Sequence, residues 1–165
     1  LPVDVLVNNA GMPNGGTLFT TPIAKLQEVF QVNFFAQVAL MQHFVKYMLR
    51  KKSGSIVNVL SVQGLAHNPG TLSYGSSKAA LVWATRSCAK ELAPHGVRVN
   101  GVAPGLTDTY MGHYRKPAET EKVLSRIPMG RMANPVEIAE AIAFLASDRA
   151  SYITGEILVA DGGNL

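Results

Sequence analysis

Tyr74 and Lys78 are four residues apart in Tyr74-Gly75-Ser76-Ser77-Lys78, so a helix brings both to one face. The pair has a chemical use. A phenol with an ordinary pKa near ~10 is a poor acid or base at neutral pH, and an ammonium a few ångströms away favours its ionised form. A shift of ~3 units takes ~4 kcal/mol, which requires close and partly desolvated groups. Alone, this spacing is common among solvated helix residues. Ser61 gives it company: it closes Ser55-Ile56-Val57-Asn58-Val59-Leu60-Ser61, just beyond a strand, where a hydroxyl can meet a carbonyl oxygen in a crevice.

The elements that must position these groups are readable from periodicity. Val3–Val7, Ser55–Leu60, Val97–Val102 and Ile157–Ala160 are β-branched runs of strand length bounded by Gly, Pro, Asn or Asp. Ile23–Leu49 carries apolar residues at steps of three and four and predicts one long helix, preceded by Pro22 and ended by Ser53-Gly54. Further helices are expected over Ser73–Leu92 and Val136–Ala146. The alternation predicts an α/β fold, a parallel sheet with right-handed crossovers. Between Leu106 and Pro128 the pattern turns polar and irregular, which suits a substrate-binding loop with short helices over the crevice.

Bulk properties narrow the class. With 165 residues, 47% apolar and 16% charged, the chain suits one globular domain. No apolar run is long enough to span a bilayer, so no membrane partner is expected. The net charge of +4 is scattered apart from Lys46, Arg50, Lys51 and Lys52, where cations complement the end of a helix dipole; a patch for an acidic partner is the alternative. No nucleic-acid motif accompanies the charge. The single cysteine, Cys88, sits in an apolar helical pattern and reads as a buried thiol, which suits the cytoplasm. His43, His67, His95 and His113 are widely spaced and lack partner ligands, so no metal site is expected.

In chain order stand Asn8-Asn9-Ala10-Gly11, a lone Asn33 in the following helix, Ser55 to Ser61, Tyr74 to Lys78, Arg98-Val99-Asn100 through Ala103-Pro104-Gly105, and Thr154-Gly155 with Asp161-Gly162-Gly163. This set resembles the short-chain dehydrogenase/reductases, most of all the group that includes 3-oxoacyl-[acyl-carrier-protein] reductases. The resemblance runs from about Asp4 to Gly163.

It implies an NAD- or NADP-dependent enzyme that interconverts a ketone and a secondary alcohol, with a 3-oxoacyl thioester as the leading substrate, acyl carrier protein as a partner, and a homodimer or homotetramer. By that resemblance Ser61, Tyr74, Lys78 and Asn33 are catalytic: Tyr74 the proton donor, Ser61 the orienting hydroxyl, Lys78 the cation serving both Tyr74 and the nicotinamide ribose. Asn33, at a local break in its helix, would position a water in a proton relay. Asn8, Ala10 and Gly11 would lie along the cofactor, as would Tyr74 and Lys78, and Pro104, Gly105, Thr107 and Thr109 would hold the nicotinamide carboxamide. Asn9, Asn58 and Asn100 read as structural ties; Gln63 could line the substrate pocket or only its loop; Asp161-Gly162-Gly163 reads as a tight turn and subunit contact.

The family's glycine-rich turn, T-G-x-x-x-G-x-G, is not among these 165 residues, and the first strand-like run begins almost at residue 1 without a preceding Met. The resemblance therefore implies the C-terminal half of a Rossmann-like doubly wound sheet, strands 4 to 7 of the order 3-2-1-4-5-6-7, within a single domain. A raw edge is expected at the first strand, and weak dinucleotide binding and no turnover by these residues alone. A piece of a longer enzyme, a natural truncation serving as an oligomerisation module, and a half completed by another chain are the readings of that start. A sugar- or sterol-type alcohol dehydrogenase is the other substrate class, and a nucleotide-sugar epimerase is disfavoured by the short tail after Asp161.

Overall fold

The computed structural model describes residues 2–112 and 117–165. Four strands, β1 (Val5–Asn8), β2 (Gly54–Val59), β3 (Val97–Pro104) and β4 (Ile157–Ala160), form one parallel sheet in the order β1-β2-β3-β4. The helices are α1 (Ile23–Phe30), α2 (Ala36–Lys51), α3 (Leu72–Leu92), α4 (Pro117–Leu124) and α5 (Pro135–Ala146).

Alternation along the strands decides which helix covers which face. Leu6, Ile56, Val97 and Val99 point to one side and pack with Met41 and Met48 of α2 and with Ala89 and Leu92 of α3. Each fully buried aliphatic side chain of this kind contributes roughly 1.5–3 kcal/mol. Val57 and Val102 point the other way, onto Ile138 and Leu145 of α5. β1 is an edge strand, and Val5 and Val7 stand 44% and 41% exposed on the α5 side.

The strand order advances in one direction throughout, yet the covering helix changes face between α3 and α5. The crossover from β3 to β4 therefore has the opposite hand to the two before it, against the expectation of uniformly right-handed connections. The cause is length: the chain from Gly105 to Asn134 carries α4 and several turns, so it is free of the tight strand–helix–strand geometry that enforces one hand.

The expected elements are present with shifted bounds. β1 begins two residues later than Val3, and β3 continues to Pro104 because Gly101–Pro104 pair with Ile157–Ala160. The expected single helix Ile23–Leu49 is interrupted: Gln31–Phe35 form a π-helical turn between α1 and α2. Lys52 adopts a left-handed conformation after α2. α5 starts at Pro135, behind an Asn134 cap that forms a reciprocal capping box with Glu137.

Arg98, on the α5 face of β3, closes the other end of that helix. Its guanidinium donates to the carbonyl oxygens of Leu145, Ala146 and Ser147 at 2.7, 3.3 and 3.0 Å. Arg98→Ala leaves those carbonyls without the cation and is expected to lower stability by about 1–3 kcal/mol in denaturant titration. An unchanged midpoint would show that the cap contributes nothing.

Candidate active site

Asn8, Ser61 and Pro104 all lie at the carboxyl ends of neighbouring strands, so the sheet gathers the expected residues at one end. The 3-10 turn Val62–Gly64 after Ser61 then packs on the start of α3. Two glycines make the approach close enough. A Cβ on Gly64 would lie 2.8 Å from the Lys78 carbonyl carbon, and one on Gly75 would lie 2.9 Å from the Gln63 carbonyl oxygen. Ser61 is buried in an extended conformation, and its Oγ accepts from the Gln63 N–H at 3.1 Å. Tyr74, half-buried, sits in the first turn of α3, directly beyond that contact.

Lys78 lies one turn further along, 3% exposed, with Nζ donating to the Val59 carbonyl at 2.7 Å. Burial pulls its pKa down from 10.5 to about 8. A group at that value exchanges a proton readily near neutral pH.

Asn33 occupies the centre of the π-helical turn and is fully buried. Its Oδ1 accepts from the Met12 N–H at 2.8 Å, and its Nδ2 donates to the Met12 carbonyl and to Ser77 Oγ, each at 3.1 Å. Ser77 Oγ in turn donates to the Tyr74 carbonyl at 2.8 Å. The extra residue of the π turn turns Asn33 inward, where its amide supports the loop after β1 and the first turn of α3 together. Gly11 faces the same corner: a Cβ there would lie 3.4 Å from Asn33 Oδ1 and 3.6 Å from Lys78 Nζ. Asn33, Lys78 and Gly11 are thus brought together.

Other expected residues are placed differently. Asn8 is 2% exposed, and its Nδ2 donates to Asn58 Oδ1 at 2.8 Å, so its side chain belongs to the core and only its main chain can face the crevice. Asn58 continues to Thr85 Oγ1 at 2.9 Å, a polar tie from β1 through β2 to α3. Ala10 and Asn9 are exposed in the loop beyond β1. Gly105 donates its N–H to the Ala160 carbonyl, and Thr107 donates to the Gly105 carbonyl at 3.2 Å. Thr109 Oγ1 accepts from the Gly112 N–H at 3.2 Å on an exposed turn.

Asn100 holds the Ile153 carbonyl and the Glu156 N–H, the structural anchor expected of it. Asp161 accepts from the N–H groups of Gly163 and Leu165 across a turn with two left-handed glycines. Gln63 pairs with Asn68 and lines a shallow depression with Ala66, His67 and Pro69, which touches neither Ser61 nor Tyr74. Residues 113–116 of the expected substrate loop, His113 among them, lie outside the described residues. Among the described residues no group of side chains could hold a metal, and no helix is long and apolar enough to cross a membrane.

Two supports escaped the sequence reading. Gln37 Nε2 donates to the Ala10 carbonyl at 2.7 Å, and Asn14 Nδ2 donates to Ser73 Oγ at 2.7 Å. The one available signal was the position of Gln37 four residues after Asn33, on an otherwise apolar face.

Known proteins resemble this chain over almost its whole length. Residues 2–164 match the family model described as enoyl-(acyl carrier protein) reductase. The chain is 44% identical to a 3-oxoacyl-[acyl-carrier-protein] reductase of Thermotoga maritima, over 98% of this chain and 65% of that protein. It is 43% identical to an uncharacterised oxidoreductase of Bacillus subtilis, over 98% of this chain and 67% of that one. The chain therefore spans about two thirds of the length of such relatives. Among solved structures, a short-chain dehydrogenase/reductase family protein superposes with a TM-score of 0.90 at 41% identity, covering 98% of this chain and 67% of its own. The NADP-bound protein ElxO superposes with the same TM-score at 33% identity, covering 98% of this chain and 66% of its own. On sequence, fold and the placement of Ser61, Tyr74, Lys78 and Asn33, this chain belongs to the short-chain dehydrogenase/reductase family.

Proposed function

We propose that this chain is the catalytic C-terminal part of a single Rossmann-like domain in an NAD(P)-dependent oxidoreductase that interconverts a ketone and a secondary alcohol. The observation that carries this reading is the buried Asn33–Ser77–Lys78 corner beneath Tyr74, with Ser61 at the adjoining strand end. A 3-oxoacyl thioester is the substrate class best supported, because the Thermotoga relative is named for it. Acyl carrier protein is then a partner and the cytoplasm the place.

The residues fit a nicotinamide cofactor. An ammonium has three donors; Lys78 uses one on Val59 and stands beside Gly11, whose missing side chain leaves the main chain as the surface a ribose can meet. The bound cofactor supplies the hydride. Ser61 orients the carbonyl oxygen by hydrogen bonding, and Tyr74 delivers the proton to that oxygen. Lys78, with a pKa near 8, lowers the cost of ionised Tyr74. Asn33 keeps the loop at Met12 and the first turn of α3 in register. In this reading Pro104, Gly105, Thr107 and Thr109 would hold the nicotinamide carboxamide, and the substrate side would fall to the polar stretch that follows β3.

The test is oxidation of NADH and NADPH by the full-length protein with a 3-oxoacyl thioester, an enoyl thioester and a sugar-type ketone. Turnover of the 3-oxoacyl thioester is expected. Turnover of the enoyl thioester alone would replace the ketone reading, and none with any substrate would end it.

A homo-oligomer is expected from the outer faces of α2 and α3. Trp83 is 75% exposed, with Phe35 and Leu40 also outward, while Phe34 and Phe44 pack inward on the core. An isologous contact covers such surface. Sedimentation at micromolar concentration should give a dimer or tetramer; a monomer would remove the idea. The Lys46–Lys52 cations lie at the opposite end of the sheet from Tyr74, and Lys51 pairs with Asp4, so they are not the entry for a substrate carrier.

A further inference from the structure

Gln37 belongs to none of the family motifs, yet it is 2% exposed in the helix layer. Its Nε2 is used on the Ala10 carbonyl, whereas its Oε1 is buried without a hydrogen-bond partner among the described residues. Burying an unpaired amide oxygen disfavours folding, so an apolar side chain of similar size would suit the core better. What Gln37 does for the protein therefore lies in the bond it does make.

That bond completes a clamp. Asn33, four residues earlier, holds both main-chain groups of Met12, and Gln37 holds the carbonyl of Ala10. Between them lies Gly11, directed at Asn33 Oδ1 and Lys78 Nζ. The two amides come from one continuous helical stretch, whose π turn sets them at different heights along the loop. Ala10 is exposed as a residue, so the loop has room to move toward water once Gln37 no longer holds its carbonyl. Losing Gln37 thus loosens the loop while leaving the core intact.

We propose that Gln37 is a positioning residue that, by holding the Ala10 carbonyl, fixes the Ala10–Met12 main chain as the surface on which the nicotinamide half of the dinucleotide rests. This rests on the dehydrogenase reading above. It makes cofactor affinity, rather than the proton-transfer step or global stability, the quantity that depends on Gln37.

The experiment compares the full-length protein with Gln37→Leu and with Gln37→Met, which keeps the length and removes the donor. In both variants the thermal midpoint should be unchanged or raised. Amide exchange of the Asn9–Met12 segment in the cofactor-free protein should quicken about fivefold. The Kd and KM for the dinucleotide should rise about tenfold while kcat at saturation stays within about threefold. A purely structural role predicts the reverse, a lower midpoint with unchanged affinity per folded molecule. Parental exchange and affinity in a folded variant overturn the proposal alone, provided the parent binds and oxidises NAD(P)H. A parent that does neither overturns the proposal together with the dehydrogenase reading.

Discussion

Tyr74→Phe in the full-length protein is expected to lower kcat by roughly a thousandfold while leaving dinucleotide affinity almost unchanged. The substitution deletes one hydroxyl and keeps the ring, so the packing of the first turn of α3 on the Val62–Gly64 turn is preserved. In the proposed mechanism, what disappears is the proton that the carbonyl oxygen needs as it becomes an alcohol. Ser61 is not expected to replace it, because a serine hydroxyl is a far weaker acid than a phenol. Stopped-flow kinetics with a fluorescence titration of the cofactor separates the two quantities. Activity within about tenfold of the parent would remove Tyr74 from the chemistry.

Lys78 is expected to show opposite effects on activity and stability. Lys78→Met should abolish turnover and weaken cofactor binding if, as proposed, one ammonium serves both Tyr74 and the ribose. The cofactor-free fold should nevertheless become more stable at pH 7. Burial holds the Lys78 pKa at about 8 against 10.5 for a free lysine, so between those values the unfolded chain binds more protons than the folded one. Stability of the parent therefore rises with pH through that window. Below it the fold bears a cost of about 3 kcal/mol for keeping the ammonium charged. Loss of the Val59 hydrogen bond offsets about 1 kcal/mol of the gain. Denaturant titrations at pH 7 and pH 10 should show the advantage of Lys78→Met shrinking at the higher pH. A variant less stable than its parent at pH 7 would mean that the ammonium is compensated in the folded state and that the pKa argument fails.

Local pattern was enough for much of this protein. Short Val-rich runs and apolar steps of three and four determined four strands and their helices, because strand and helix periods differ and each element here buries one clear face. The same local order carried the family: Tyr74 and Lys78 share a helix face at any tertiary arrangement, and Ser61 must follow a strand whatever that strand pairs with. Bounds and breaks were another matter. The residues of Ile23–Leu49 read as one helix, since an apolar stripe absorbs one added residue without losing its period. Only the resemblance implied a break at Asn33, and the structure supplies its cause, the main chain of Met12, twenty-one residues away.

What tertiary structure alone decided has one common physical reason: each outcome depends on a partner distant in sequence. Asn8 turned from the crevice into the core because Asn58 waits on the paired strand, fifty residues on. Lys78 acquired its lowered pKa from the depth of α3 against β2, which no count of neighbouring charges could foresee. Gln37 has no spacing rule of its own, and its part emerged only when the loop after β1 folded back over α2. The hand of the last crossover was likewise open to the sequence, since a thirty-residue connection from Gly105 to Asn134 leaves the chain free to reach either face of the sheet.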